Sequence, residues 1–238
     1  MISNLSVKSP MFYARLAAVL YLVMVPLGFV GIIYVPSTLI VDGDPVKTVA
    51  NIIESESMFR IGILAALLIP VVNTALVFTL YRILRPANKL LAQAMVVLIL
   101  LAVPIAMFNE INNAHVLQLV SGADYLDVFD TEQINAQVMS ALDLHESGIF
   151  IASLFWGLWL LPMGYAIVIS GYIPKVLGYL LLIGGIGYVL DAFIYFLVPD
   201  ANFEMSTYTF IGELLLPLWL LIKGVNVERW IEADKSSS

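Results

Sequence analysis

Three acidic side chains interrupt long apolar stretches of this chain: Glu110, Asp191 and Glu213. An ionised carboxylate inside a membrane-spanning helix is costly unless it faces a partner or a polar cavity. Carboxylates in such positions pair with cations, bind ligands or ions, or take part in proton transfer. These three residues therefore indicate where a functional site lies, although their types alone do not identify a reaction.

Polar neighbours of two of these carboxylates recur at helical spacing. Asn113 follows Glu110 by three residues, and Asp191 follows Tyr188 by three residues. Side chains three or four residues apart lie on the same face of an α-helix. Glu110 and Asp191 are therefore each expected to belong to a polar stripe that one helix presents to its neighbours.

The elements that must position these groups are transmembrane helices. Of the 238 residues, 61% are hydrophobic and 12% are charged, and the mean hydropathy of +0.96 is typical of an integral membrane protein. Six apolar stretches are each long enough to cross about 30 Å of hydrocarbon. They lie at about 12–35, 58–84, 90–119, 148–171, 175–198 and 206–223. These spans leave no room for a soluble domain, so residues 1–238 are predicted to form a single transmembrane domain.

The two long loops on the predicted outer side each carry a helical pattern. Asp44-Pro45 provides an N-cap and an N1 proline in the first loop. Asp130 or Thr131 can cap a helix in the second loop. Apolar residues follow at helical spacing in both loops, which predicts short amphipathic helices at the outer interface. The predicted fold class is therefore all-α, an integral membrane bundle of six transmembrane helices with these two short helices in its outer loops.

The basic residues predict the orientation of the bundle. Most of them fall on one side of the membrane: Lys8, Arg15, Arg82, Arg85, Lys89, Lys175, Lys223, Arg229 and Lys235. The positive-inside rule then places both the N and the C terminus in the cytoplasm. The net charge of −7 is concentrated in the outer loops. The chain has no basic patch suited to nucleic acid, and its lack of cysteine excludes disulfides and thiolate chemistry.

The positions of the polar residues along their predicted spans place residues of several helices in the outer third of the membrane. At about 1.5 Å per residue, Asp191 lies near the outer end of its span and Glu213 lies near the outer start of the last span. Concave ligand sites need only a few convergent polar groups. We therefore expect a pocket that opens to the outside and is lined by Arg60, Glu110, Asn113, Asp143, His145, Tyr188, Asp191 and Glu213.

Two specific arrangements are expected in this pocket. Arg60 is predicted to form a salt bridge with Asp191 or Glu213, because an unpaired charge inside the membrane is costly. His145 and Glu213 are predicted to line the same cavity. The competing interpretation is a purely structural network, in which Arg60, the carboxylates and the asparagine side chains cross-link the helices.

The residues leave several function classes open. The default interpretation is a non-enzymatic protein of the lipid bilayer that binds a small molecule or a lipid ligand. One alternative is a metal-dependent intramembrane hydrolase, in which His115 and His145 would bind a catalytic zinc together with Glu213, Glu110 or Asp143. The other alternative is a small-solute transporter. The oligomeric state is not defined by the sequence.

Several motifs occur in order along the chain. They are Ala14-Arg15-Leu16-Ala17 with Leu20-Tyr21-Leu22, Phe59-Arg60-Ile61-Gly62, Leu84-Arg85-Pro86-Ala87-Asn88, Asp143-Leu144-His145-Glu146-Ser147-Gly148, Phe155-Trp156-Gly157-Leu158, Gly171-Tyr172-Ile173-Pro174-Lys175-Val176-Leu177-Gly178, Gly187-Tyr188 with Asp191, Gly212-Glu213 and Trp219-Leu220-Leu221-Ile222-Lys223-Gly224-Val225. As a series they resemble the bacterial membrane family known as a domain of unknown function, DUF4386. The resemblance covers nearly the whole chain and implies a multi-pass protein of the bacterial cytoplasmic (inner) membrane, with no established reaction. The family's recurrent polar positions match Arg60, Asp143, His145, Asp191 and Glu213.

A reporter fused after Ser238 tests the predicted orientation. We expect activity from a reporter that works only in the cytoplasm, because basic segments are retained on that side during membrane insertion. A reporter that works only outside the cytoplasmic membrane should stay inactive at the same position. Activity of this second reporter would contradict the predicted topology.

Overall fold

A computed structural model describes residues 9–198, 201 and 203–236, and the regular structure of these residues is entirely helical, without a strand. Lys8 and Ser238, on which the orientation and its test depend, lie outside the described residues. The helices are α1 (Pro10–Gly28), which continues through a π-helical turn (Phe29–Tyr34) into α2 (Val35–Leu39), then α3 (Pro45–Glu54), α4 (Glu56–Leu84), α5 (Lys89–Leu119), a 3-10 turn (Asp124–Leu126), α6 (Thr131–Ser170), α7 (Lys175–Leu197), α8 (Ser206–Thr209), α9 (Ile211–Ile222) and α10 (Val227–Ser236).

The long apolar helices agree with the predicted membrane spans. Among the described residues, five helical segments are long and apolar enough to cross a membrane: Pro10–Leu39, Glu56–Leu84, Lys89–Leu119, Thr131–Ser170 and Lys175–Leu197. A sixth candidate is the bent pair Ser206–Ile222 and Val227–Ser236, whose two parts meet at 103°. The chain is therefore an all-α membrane protein with five or six candidate transmembrane helices.

The two long loops differ from each other. The first contains α3, where Asp44 Oδ1 accepts a hydrogen bond from the Lys47 backbone N–H at 2.9 Å and Pro45 occupies the first turn. The expectation of a separate short helix in the second loop was wrong, because Thr131–Ser170 is one helix of 40 residues. No proline interrupts residues 131–161, so nothing in the backbone ends the helix before the predicted span begins. The position of α3 at a membrane surface stays a prediction.

Internal contacts divide the chain into two compact units. The first unit contains the described residues of Met1–Leu22, Val72–Leu101 and Ser153–Ser238, and the second contains Val23–Val71 and Ala102–Ala152. Four helices, α1, α4, α5 and α6, contribute residues to both units. The single transmembrane domain that the sequence predicts stays a prediction.

An apolar cluster forms the core of the second unit. Val35 of α2, Ile52 of α3, Phe59 of α4, Val116 of α5 and Val138 of α6 all belong to it. Ile52 is fully buried, with 0% of its surface exposed. Helix α3 therefore buries its apolar face in the core of this unit, and the first part of α6 does the same.

Glycines bring α7 very close to its neighbours in the first unit. A Cβ atom on Gly185 would lie 2.7 Å from the carbonyl oxygen of Gly157, and one on Gly178 would lie 2.5 Å from that of Gly164. A Cβ atom on Gly212 of α9 would lie 2.8 Å from the backbone of α7. Small residues are the main device by which membrane helices pack at such short backbone distances.

The substitution Gly178→Ala tests this close packing. The added methyl group has no room between α6 and α7, and overpacking of this kind costs about 1–3 kcal/mol. We expect a lower thermal unfolding temperature for the detergent-purified variant. Gly28→Ala is the matched control, since a Cβ atom at Gly28 would meet nothing within 4 Å. Equal unfolding temperatures for the two variants would contradict the packing argument.

Candidate functional site

The parts of α5 and α6 that lie in the second unit form a polar cluster around Glu110. His145 Nε2 lies 2.9 Å from Glu110 Oε1, and Asn113 Nδ2 donates a hydrogen bond to Glu110 Oε2 at 2.9 Å. The side chains of Glu110 and His145 are only 5% and 17% exposed. Both oxygens of this buried carboxyl group therefore have partners, which reduces the cost of removing it from water.

Asn109 sets how closely α5 and α6 approach at this cluster. Its Nδ2 atom donates to the backbone carbonyl of His145 at 2.8 Å, and its Oδ1 atom accepts a hydrogen bond from Asn112 at 3.1 Å. A Cβ atom on Gly148 would overlap the Asn109 side chain. Gly148 therefore leaves the space that the buried Asn109 occupies, and neither residue is among the predicted site residues.

Two predicted site residues of the same unit, Asp143 and His115, are exposed. The predicted span begins at residue 148, which would place Asp143 and His145 in the preceding loop, where both side chains could turn inward. The structure has a continuous helix at these positions. Two residues along a helix correspond to a rotation of about 200°, so Asp143 faces away from the side on which His145 contacts Glu110.

Arg60 has a local partner in place of the one that we expected. Its Nε atom lies 2.7 Å from Glu56 Oε1, one helical turn away, and the two side chains are 57% and 46% exposed. The proposed partners Asp191 and Glu213 have the separate contacts described below. An exposed pair at this spacing contributes about 0.3–0.5 kcal/mol, far less than the buried ion pair that the sequence suggested.

Glu213 of α9 has two tyrosine neighbours in the first unit. The Tyr21 hydroxyl donates a hydrogen bond to Glu213 Oε2 at 2.9 Å, and the Tyr188 side chain also interacts with this carboxyl group. The Tyr21 ring stacks on Trp159 with 6.5 Å between the ring centroids. Glu213 Oε1 is buried and accepts no hydrogen bond from the residues that the structure describes. One oxygen is therefore held in place, while the other has unused acceptor capacity.

Asp191 holds the start of α8. Its two carboxylate oxygens accept hydrogen bonds from the backbone N–H groups of Met205 and Ser206, at 2.6 and 2.8 Å. The residue is 4% exposed. The first N–H groups of a helix have no partner within the helix, and a carboxylate there is favoured by hydrogen bonding and by the helix dipole. Asp191 therefore joins the end of α7 to the segment that leads into α9.

The proposed zinc ligands do not assemble in the part of the chain that the structure covers. Within it, no group of three or more histidine or carboxylate side chains is arranged to hold a metal ion. His115 is exposed, His145 contacts Glu110, and Glu213 contacts Tyr21. These contacts give no support to a metal-dependent hydrolase.

Tyr21 is the main site residue that sequence reasoning missed. It is 6% exposed and lies within an otherwise apolar part of α1. The available signal was its hydroxyl group, because a buried tyrosine usually finds a hydrogen-bond partner for that group. The identity of the partner could not be read from the sequence, since Glu213 lies 192 residues further along the chain.

Comparison with known proteins gives a family but no activity. A family model described as a domain of unknown function (DUF4386) matches residues 16–224. An uncharacterized protein of Archaeoglobus fulgidus is 28% identical over 163 residues, which cover 68% of this chain and 83% of that protein. No solved structure matches the chain.

Substitution of Asp191 tests its contact with α8. Asp191→Ala should lower the free energy of unfolding by about 1.5–3 kcal/mol, the range for hydrogen bonds to a charged group. Asp191→Asn should lose less, because one acceptor oxygen remains. Asp143→Asn is the control and should stay within about 0.5 kcal/mol of wild type, as exposed positions usually do. Thermal or denaturant unfolding of the purified proteins measures all three, and a stable Asp191→Ala variant would contradict the assigned role.

Proposed function

The chain belongs to the DUF4386 family, whose description assigns no activity, and on that premise we propose that it binds a small molecule or a lipid through polar groups inside its helices. The observation that carries this proposal is the buried Glu213 Oε1 atom, which has no hydrogen-bond partner among the described residues. Its neighbour Oε2 is held by Tyr21 at 2.9 Å. The ligand would supply the donor that Oε1 lacks.

Energetics support a ligand at this position. A buried polar atom that loses its partner costs about 1–3 kcal/mol, and buried polar atoms in folded proteins nearly always have a protein, water or ligand partner. A ligand with a hydroxyl or amino group would satisfy Oε1. A charged amino group would gain more, because a hydrogen bond with an ionised donor is about twice as strong as a neutral one. The tyrosine contacts keep the carboxyl group oriented before the ligand arrives.

The proposal rests on two groups of polar residues, one in each unit. Glu213, Tyr188 and Tyr21 belong to the first unit, and Glu110, Asn113 and His145 form the cluster of the second unit. Asp191 supports the group around Glu213 by binding the start of α8. The proposal also includes the exposed side chains of Arg60 and Asp143 in the second unit. The opening of the site to the outside also belongs to the proposal, while the shared cavity for His145 and Glu213 stays a prediction.

A small-solute transporter is the second candidate. It is supported by the contact between His145 Nε2 and Glu110 Oε1 at 2.9 Å. Paired carboxyl and imidazole groups inside membrane proteins serve as proton relays in pumps and transporters. Such a pair would couple solute movement to a proton gradient.

The substitution Glu213→Gln tests the binding proposal. The protein is purified from its native membrane, and small molecules and lipids released from it are compared by mass spectrometry. We expect a compound that accompanies wild type in near-stoichiometric amount to be reduced about tenfold in the variant, because the single amide oxygen cannot accept from both Tyr21 and the ligand, and a lost buried hydrogen bond costs about 1–3 kcal/mol. Tyr21→Phe should reduce it less, since Oε1 remains available.

Tyr179→Phe is the matched control. This tyrosine lies on α7 like Tyr188, but its side chain is exposed. The control should retain the compound, and all variants should keep the elution volume of the folded wild type. Equal retention by Glu213→Gln and Tyr179→Phe, or wild-type protein without any accompanying compound, would overturn the proposal.

A further inference from the structure

A cavity of about 490 Å³ lies in the first unit between the turn that joins α6 to α7 and the turn that joins α9 to α10. Its volume falls in the range of about 300–1,000 Å³ that is typical of small-molecule sites. The lining residues come from both turns and the adjoining helix ends: Gly171, Tyr172, Ile173, Pro174, Lys175, Trp219, Lys223, Gly224, Val225, Asn226 and Arg229. The groups discussed above, including Glu213, are not among them.

The charged side chains that line this cavity are all basic. Lys175, Lys223 and Arg229 line it, and no acidic side chain of the described residues does. None of these three cations forms an ion pair within the described part of the chain. Three positive charges around one concave surface favour an anion. Since the chain as a whole carries a net charge of −7, this concentration of positive charge is a local property.

The two turns are fixed to each other before any ligand binds. The Asn226 backbone N–H donates to the Tyr172 carbonyl at 3.0 Å, and Arg229 Nη1 donates to the Gly171 carbonyl at 3.0 Å. Gly171 and Gly224 have φ angles of 71° and 69°, in the left-handed region that glycine adopts without strain. The lining is therefore preorganised, which lowers the entropy cost of binding.

Both turns are also anchored to the end of α4. The Tyr172 hydroxyl and Trp230 Nε1 each donate a hydrogen bond to the Ile83 carbonyl, at 2.8 and 2.9 Å. Burial raises the pKa of the Tyr172 hydroxyl above its ordinary value, so this group remains protonated and can donate over the whole physiological pH range. The lysine side chains in contrast are exposed, and their ends are free to gather around a bound anion.

We propose that this cavity binds a phosphate group, such as that of an anionic phospholipid headgroup. The guanidinium of Arg229 can donate to phosphate oxygens alongside the two lysines. Lys175 is the first residue of α7, so the positive end of the helix dipole adds to the attraction. Trp219 supplies an amphipathic ring of the kind that favours the membrane interface. Basic pockets between transmembrane helices are suited to anionic headgroups.

Binding of short-chain phosphatidylglycerol to the detergent-purified full chain tests this site. The double substitution Lys175→Gln and Lys223→Gln removes two charges and leaves the Arg229 contact with Gly171 intact. We expect affinity for this lipid to fall about tenfold or more, given the attraction of each basic residue for anionic lipid. Diacylglycerol with the same acyl chains, which lacks phosphate, should bind wild type and the variant equally weakly.

A matched control removes two basic residues that do not line the cavity, Arg82 and Lys89, as Arg82→Gln and Lys89→Gln. This control should bind phosphatidylglycerol like wild type.

Competition with inorganic phosphate identifies the source of the phosphate group. Competition at millimolar concentration indicates a free phosphate or a soluble phosphate ester, whereas its failure to compete indicates the lipid, and either result supports a phosphate site.

Three outcomes would overturn the proposal. In the first, the Lys175 and Lys223 double variant and the Arg82 and Lys89 control lose the same affinity for phosphatidylglycerol. In the second, wild type binds diacylglycerol as tightly as phosphatidylglycerol. In the third, wild type binds neither phosphatidylglycerol nor inorganic phosphate. If the double variant does not fold, Lys223→Gln alone is compared with Lys89→Gln, with an expected loss of about threefold or more. The test uses no residue of the Glu213 site, so its result is separable from that of the proposed function.

Discussion

Buried polar groups in apolar helices need hydrogen-bond partners supplied by the protein itself, since hydrocarbon offers none. The three carboxylates meet this need in different ways. Glu110 uses both of its oxygens, for His145 and Asn113. Asp191 uses both of its oxygens for the backbone of the segment before α8. Glu213 uses one for Tyr21 and leaves the other without a partner among the described residues. Glu110 and Asp191 therefore have no acceptor oxygen left over, whereas Glu213 keeps the one on which the proposed ligand site depends.

Close helix contacts place these groups. The glycines of α7 and its neighbours let backbones approach to distances at which a Cβ atom would clash. Gly187 packs against the Thr209 side chain in the same way, and it lies one residue before Tyr188. The position of the tyrosine hydroxyl relative to Glu213 therefore depends on a contact that a larger residue would push apart. Gly148 plays the corresponding part beside Asn109 in the second unit.

The chain carries two candidate sites of opposite character in different surroundings. The Glu213 site consists of a carboxyl group and tyrosine hydroxyls inside apolar helices, which suits a donor such as a hydroxyl or amino group. The cavity at the turns after α6 and α9 is lined by exposed cations and backbone groups, which suits an anion. Helix α9 contributes to both sites, since Glu213 lies near its start and Lys223 directly follows its end. A lipid with a polar headgroup is a ligand class that either chemistry can recognise.

The sequence by itself determined the features that depend on local spacing and composition. Apolar stretches of sufficient length identified the membrane helices, and the three-residue spacing placed Glu110 and Asn113 on one face, where the structure has a hydrogen bond. Only the tertiary structure decided which residues on different helices meet. Tyr21 with Glu213, His145 with Glu110, and Asp191 with the start of α8 could not be predicted. The reason is geometric: the helical repeat fixes the angle between residues of one helix, but the rotation and offset between two helices follow from how their side chains pack. The same packing buries the first part of α6, whose continuity put Asp143 on the exposed side of that helix.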